Sequence, residues 1–218
     1  MNLARRALAD GLGTALLLAV VVGSGIMGER LSGGNDGLAL LANSLATGFA
    51  LVALIFAFGP RSGAHFNPVV TAALALRKEF PVREVWAYLA AQFAGALLGV
   101  LAAHAMFDAP LIQFGDKERF GLAQWWSEIV ATFGLIFVVL SCDRKSAPFA
   151  IGAYVAAAYW FTASTSFANP AVTLARGFTA TFSGIRPEDV AGFIAAQLIG
   201  TALALWADKV FTAAQNRS

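Results

Sequence analysis

The sequence predicts an all-α membrane protein: six transmembrane helices plus two re-entrant half-helices, arranged as two inverted repeats. Three observations carry that prediction. Of 218 residues, 58% are hydrophobic and only 13% are charged, and the mean hydropathy is +0.69; soluble domains carry about 25% charge. Six apolar, nearly uncharged stretches have the length of a bilayer crossing, and two Asn-Pro motifs sit at matching places in the two halves of the chain. A soluble domain of this size needs far more charge to solvate its surface, so lipid is the solvent for much of it.

In chain order the stretches are 7–27, 38–58, 85–107, 122–141, 147–166 and 190–207, each close to the ~20 residues that cross a hydrocarbon core as helix. The first follows Arg5 and Arg6 but contains Asp10 and lacks a convincing small-residue cleavage site, so it reads as a retained span rather than a signal peptide. Gly33-Gly34-Asn35-Asp36-Gly37 is a turn, and 108–119, with five charged residues, is a longer connection. Two further uncharged stretches, 62–76 and 167–175, are too short to cross. Their helical pattern starts at Asn67-Pro68 and Asn169-Pro170, and Asn is a favoured N-cap and Pro a favoured first helical residue. Each half-helix rises ~15 Å, so two placed end to end make a seventh, broken span.

Segments 1–6, 59–84, 142–146 and 208–218 hold ten of the fifteen Lys and Arg, which places both termini in the cytoplasm. A net charge of +2, with no basic run longer than two residues, leaves no electrostatic footprint for nucleic acid. Cys142 is the single cysteine and His65 and His104 the only histidines, too few for a disulfide or a metal cluster. Gly23-Ser24-Gly25-Ile26-Met27-Gly28 spells a dinucleotide fingerprint, but it ends a membrane span and follows no strand.

The chain repeats itself. Asn67-Pro68-Val69-Val70-Thr71 returns as Asn169-Pro170-Ala171-Val172-Thr173, and Ala90-Ala91-Gln92 with Gly95 returns as Ala195-Ala196-Gln197 with Gly200. Asp10 with Thr14 is echoed by Glu128 with Thr132. The unit is span, span, half-helix, span, which makes a single domain over 1–218 with halves of approximately 1–107 and 108–218. Three full spans per half invert the second copy, so the half-helices enter from opposite faces and bring their N-termini, each worth roughly +0.5 of a charge, to the midplane. Two such ends repel cations and protons and offer donors to a neutral solute oxygen.

Paired Asn-Pro boxes in six-span inverted halves resemble the aquaporin, or major intrinsic protein, family. The resemblance covers nearly the whole chain and is most specific over Ser62-Gly63-Ala64-His65-Phe66-Asn67-Pro68-Val69 and Ser166-Phe167-Ala168-Asn169-Pro170-Ala171. It implies an aquaporin-like fold and a passive, cofactor-free, tetrameric channel in the cell inner membrane, with one pore per subunit and no catalytic chemistry. It further implies that Gly63, Ala64, His65 and Phe66, and Ser164, Thr165, Ser166, Phe167 and Ala168, line the path with backbone carbonyls, and that Asp10 and Glu128 hold the loops from behind. Val69 adds bulk where the family's first box has alanine.

Counted from the aligned asparagines, the family's outer filter falls on Thr47, Ala157, Ser166 and Val172. Val172 replaces the family's arginine, and the aromatic and histidine of water-selective members fall on Thr47 and Ala157. Small side chains there widen the path and remove a fixed charge. Water, glycerol-like polyols and larger neutral solutes follow; bacterial members with open filters resemble those linked to metalloids, which adds arsenous acid, antimonous acid and methylated arsenicals. Thr173 stands where glycerol-conducting members often have Asp.

Several residues carry plainer readings. Arg176, one turn beyond Val172, either places a cation at the outer mouth or has a plainer role, capping the carboxyl end of its half-helix or snorkelling outward; the plainer role is the expectation. His65 gates by titration or fixes its loop, and His104 meets the interface. Gln92 and Gln197 are hydrogen-bonding groups between helices, Gly95-x-x-x-Gly99 is a packing pattern, and Trp86, Trp125, Trp126 and Trp206 are interface anchors. Other classes stay open: a proton-coupled secondary transporter, with Asp10 and Glu128 as relay groups, a water-selective channel, and a membrane scaffold with a degenerate pore.

Overall fold

Local capping chemistry sets several of the helix ends. The computed structural model describes residues 1–215, and among them helices are the only regular structure. Helix α1 (Leu3–Leu31) starts at Asn2, whose side chain accepts from Arg5 N at 3.0 Å, and α2 (Asp36–Ser62) starts at Asn35, which accepts from Leu38 N at 3.1 Å. Gly63, at φ 91°, ends α2 in the left-handed region that favours glycine. Half-helix α3 (Pro68–Leu76) follows, then α4 (Val85–Met106), α5 (Leu122–Ser141), α6 (Ala147–Phe161), half-helix α7 (Pro170–Arg176) and α8 (Pro187–Gln215).

All six spans and both half-helices are present, and the differences lie at the ends. Helices α1 and α8 run 29 residues each, beyond 7–27 and 190–207, because helix persists past the hydrocarbon where Arg5, Arg30 and Glu188 meet water. The fifth span is shorter than 147–166: α6 has 15 residues, a rise of ~22 Å, and Thr162 leaves it in extended conformation. The uncharged run 162–166 belongs to the second re-entrant loop, and hydropathy cannot separate it from the helix. Arg217, counted in the orientation reading, lies outside the described residues.

The packing follows the repeat. Helix α1 packs on α4 and α5 on α8; α1 meets α2 and α5 meets α6; α4 meets α7 and α3 meets α8; α2 and α6 join the halves. Without a hydrophobic drive between helices in lipid, small residues at the crossings let backbones close. A Cβ on Gly95 would lie 2.1 Å from Gly11 O, and one on Gly200 would lie 2.5 Å from Ile129 O. Both members of this repeated pair are therefore close-approach positions. Polar groups line the inside: Asp10, Thr14, Gln92, Glu128, Thr132 and Gln197 are fully buried, while Leu8, Leu12 and Leu16 form an exposed apolar row on α1. This arrangement suits a lipid surround.

Candidate functional site

The two half-helices set the site. Asn67 accepts from Val69 N at 3.0 Å, and Asn169 accepts from Ala171 N at 3.0 Å and Val172 N at 3.3 Å, so each carboxamide oxygen caps its own helix. Each nitrogen crosses to the other loop: Asn67 Nδ2 donates to Ala168 O at 2.8 Å and Asn169 Nδ2 to Phe66 O at 2.9 Å. One N–H of each carboxamide therefore clamps the two loops together, and the second has no partner among the described residues.

Behind the loops stand the two carboxylates. Asp10 accepts from His65 N, Phe66 N, Ser62 Oγ and Gln92 Nε2 at 2.7–3.0 Å. Glu128 accepts from Phe167 N and Ala168 N at 2.9 Å and from Gln197 Nε2 at 2.7 Å. The glutamines also donate to Thr71 and Thr173, whose hydroxyls return to Asn67 O and Asn169 O. Each of the four carboxylate oxygens faces an N–H or O–H, the arrangement that makes burial of a carboxylate tolerable.

The loops so held are strained at matching places. Ala64 and Phe66 have φ of 52°, and Ser166 and Ala168 have φ of 51° and 46°. These are the residues three and one before each asparagine. A non-glycine residue in the left-handed region costs roughly 1–2 kcal/mol, and such strain concentrates where surrounding contacts over-determine the backbone.

A cavity of about 980 Å³ runs past these groups. At one end it is walled by Gly59, Arg61 and Arg144, in the middle by Asn67 and Asn169, and at the other end by Thr47, Tyr159, Ser166, Val172 and Arg176. Its flanks are apolar: Leu17 and Val21 from α1, Leu51 and Ile55 from α2, Leu135 and Val139 from α5, Val155 from α6. Gly63, Ala64, His65, Phe66, Phe167 and Ala168 also face it. A solute in this cavity meets a polar strip opposite an apolar wall.

Several expectations need correction. Ala157 is exposed on the far side of α6 and is not on the cavity wall; Val155 and Tyr159, two residues either side and so about 200° around the helix, take its place. Ser164 and Thr165 do not line the cavity, because the Ser164 carbonyl turns away to accept from Arg119 Nη1 at 2.9 Å. Val69 is buried with Ile136 and Ala204 and adds no bulk to the path. His104 is fully buried, bonded to Leu111 O at 2.9 Å and Thr179 Oγ1 at 2.8 Å, and Trp125 packs with Phe167 and Phe193. His65 is held by Thr71 Oγ1 at 3.0 Å on its Nδ1 and by the rings of Phe80 and Tyr88.

Arg176 does not snorkel. It is 2% exposed, donates from Nε to Ser183 O, and stacks its guanidinium 3.3 Å from the Phe167 ring centre. Tyr159 hydrogen-bonds Thr47 at 3.2 Å across the same end. Arg119, which no pattern in its loop singled out, reaches Gly184 O at 3.0 Å and lies 4.9 Å from the Phe167 ring centre. Burial lowers its pKa to about 10, which leaves it a cation at neutral pH.

Comparison with known proteins agrees with this geometry. The family model described as "Major intrinsic protein" matches residues 1–163. Aquaglyceroporin AqpS of Rhizobium meliloti is 54% identical over 207 residues, covering 94% of this chain and 88% of its own. Aquaporin NIP2-1 of Zea mays is 33% identical over 185 residues, 79% of this chain and 61% of its own. The crystal structure of the aquaglyceroporin from Plasmodium falciparum superposes with a TM-score of 0.78 over all of both chains at 17% identity, a likeness of fold. Members of this family are membrane channels rather than enzymes. A continuous cavity threaded between two Asn-capped half-helices, and the match over three-quarters of its length, place this multi-pass membrane chain in the major intrinsic protein family.

Proposed function

We propose that the chain passes small uncharged solutes, water and glycerol-like polyols, down their gradients through the cavity between α3 and α7. The observation that supports this most directly is the continuity of that cavity past both asparagines, with donors on one side and aliphatic side chains on the other. A solute oxygen replaces part of its hydration at the two free carboxamide N–H groups and slides along the apolar wall. The half-helix N-termini set a positive potential there, which disfavours protons and cations.

In this reading Thr47, Ser166 and Val172, with Tyr159 in place of Ala157, set the aperture at the Arg176 end. Val172 leaves that constriction without the family's arginine, which admits larger neutral solutes; arsenous acid, antimonous acid and methylated arsenicals are the proposed upper members. The whole chain acts as one channel domain of two inverted halves, with Asp10 and Glu128 as structural acceptors. It sits in the plasma membrane with both termini cytoplasmic and assembles as a homotetramer with one pore per subunit and no resident cofactor.

The test is stopped-flow volume change of proteoliposomes under gradients of water, glycerol and arsenous acid, with an internal pH dye. Glycerol and arsenous acid flux without acidification supports the open, proton-tight reading. Water flux alone removes the open filter, because Tyr159 and Arg176 then close what Val172 opens. Uptake that collapses with a proton gradient points to a coupled transporter.

A further inference from the structure

Burying a cation without an ion-pair partner costs several kcal/mol, and the Arg176 end of the cavity holds two such groups. Arg119 is 5% exposed and Arg176 2% exposed, yet no ion pair among the described residues includes either. The nearby carboxylates are engaged elsewhere: Glu128 with the backbone of Phe167 and Ala168, Asp189 with Arg119 N and Arg186, and Glu118 with Arg186. Lys117, 4.8 Å over the Phe182 ring, adds a third positive charge on the same side, with Asp36 and Glu29 as its nearest carboxylates.

The protein's own acceptors are too few for these guanidinium groups. Arg176 spends Nε on Ser183 O, and its Nη1 and Nη2 have no hydrogen-bond partner among the described residues while the side chain lines the cavity. Arg119 spends Nε on Gly184 O and Nη1 on Ser164 O, and its Nη2 has none. Both are oriented by the same Phe167 ring, and the hydroxyls of Thr47, Tyr159 and Ser166 line the same end. An arginine with two free Nη groups presents the fork that binds two oxygens of one anion.

We propose that this end of the channel is a binding site for a small oxyanion, held chiefly by Nη1 and Nη2 of Arg176 with Arg119 supplying the field behind Phe167. The bound anion occupies the mouth and competes with neutral solutes for entry. The site shares the Val172 end of the cavity but rests on the Arg176 guanidinium, so it does not depend on which neutral solute is physiological. It would make the channel responsive to the oxyanion concentration on that face.

Inorganic phosphate is the probe. The purified full chain is placed in phosphatidylcholine vesicles, which have no net-anionic headgroup, and phosphate is equilibrated on both faces at constant ionic strength against chloride. Glycerol flux is expected to fall saturably, at least twofold, with half-effect in the millimolar range. In Arg176→Gln, with flux normalised to the variant's own phosphate-free value, the half-effect concentration rises at least tenfold; Arg176→Lys, which keeps the charge, lies between. Equilibrium dialysis of labelled phosphate against detergent-purified wild type reads the same site without flux, so loss of channel activity and loss of the anion site are separable. Absence of both block and bound phosphate in the wild type, or an unchanged block in Arg176→Gln, overturns the proposal.

Discussion

Replacing Glu128 by Gln tests the mechanical role of the buried carboxylate. The carboxylate receives three N–H donors at 2.7–2.9 Å from Phe167, Ala168 and Gln197. The amide keeps one acceptor. If its oxygen takes the Phe167 N–H, a charge-assisted bond becomes a neutral one, a loss of about 0.5–2 kcal/mol, and the Ala168 N–H is orphaned at about 1–3 kcal/mol. Gln197 can turn its amide, because its Oε1 has no partner and can accept from the new NH₂, but the turn gives up its bond to Thr173 Oγ1. These two losses total about 1.5–5 kcal/mol, and they fall on a loop already held at positive φ at Ser166 and Ala168. Glu128→Gln should therefore lose several degrees of melting temperature in detergent and most of its water and glycerol flux together. Asp10→Asn, which turns one oxygen of a carboxylate with four donors into an NH₂, should act in the same direction through Phe66. A variant with unchanged melting and unchanged flux would refute the argument, and flux that survives while internal pH changes would reassign the group to proton transfer.

Other outcomes follow from single residues. Val172→Arg returns a guanidinium to the constriction and should suppress glycerol and arsenous acid more than water; equal loss of both in the stopped-flow assay refutes the filter assignment. Tyr159→Ala should raise the ratio of glycerol to water flux, whereas Ala157→Phe, on the exposed side of α6, should leave it unchanged; the same vesicles distinguish them. Gly95→Leu places side-chain atoms where Gly11 O already lies 2.1 Å from a Cβ position, so the yield of monodisperse protein in size exclusion should collapse, while Gly59→Ala, with open space around it, should express normally.

What could be read from the residues depended on the kind of signal each left. Asn67-Pro68 and Asn169-Pro170 cap their helices locally, and local chemistry is visible in a linear chain. The pairing of Asp10 with Glu128 and Gln92 with Gln197 was legible because the repeat presents each role twice. Ala157 was misplaced because counting from aligned asparagines ignores where α6 ends; a two-residue offset on a helix turns a side chain by about 200°, from the cavity to the outer face. Arg119 left no local signal, since its partners Ser164 and Gly184 lie 45 and 65 residues away.

The sequence by itself determined the membrane environment, the six spans, the two half-helices, the repeat and the family. These rest on hydropathy, helix capping and internal similarity, all short-range or additive properties of the chain. Only the tertiary structure decided which face of α6 meets the cavity, that Ser164 turns its carbonyl to Arg119, and that Arg176 is buried beside Phe167 instead of reaching out. Those outcomes depend on the relative rotation of packed helices and on contacts between distant loops, and a guanidinium seven residues along from Asn169 has the same sequence signature whether it points to lipid, to water or into a pore.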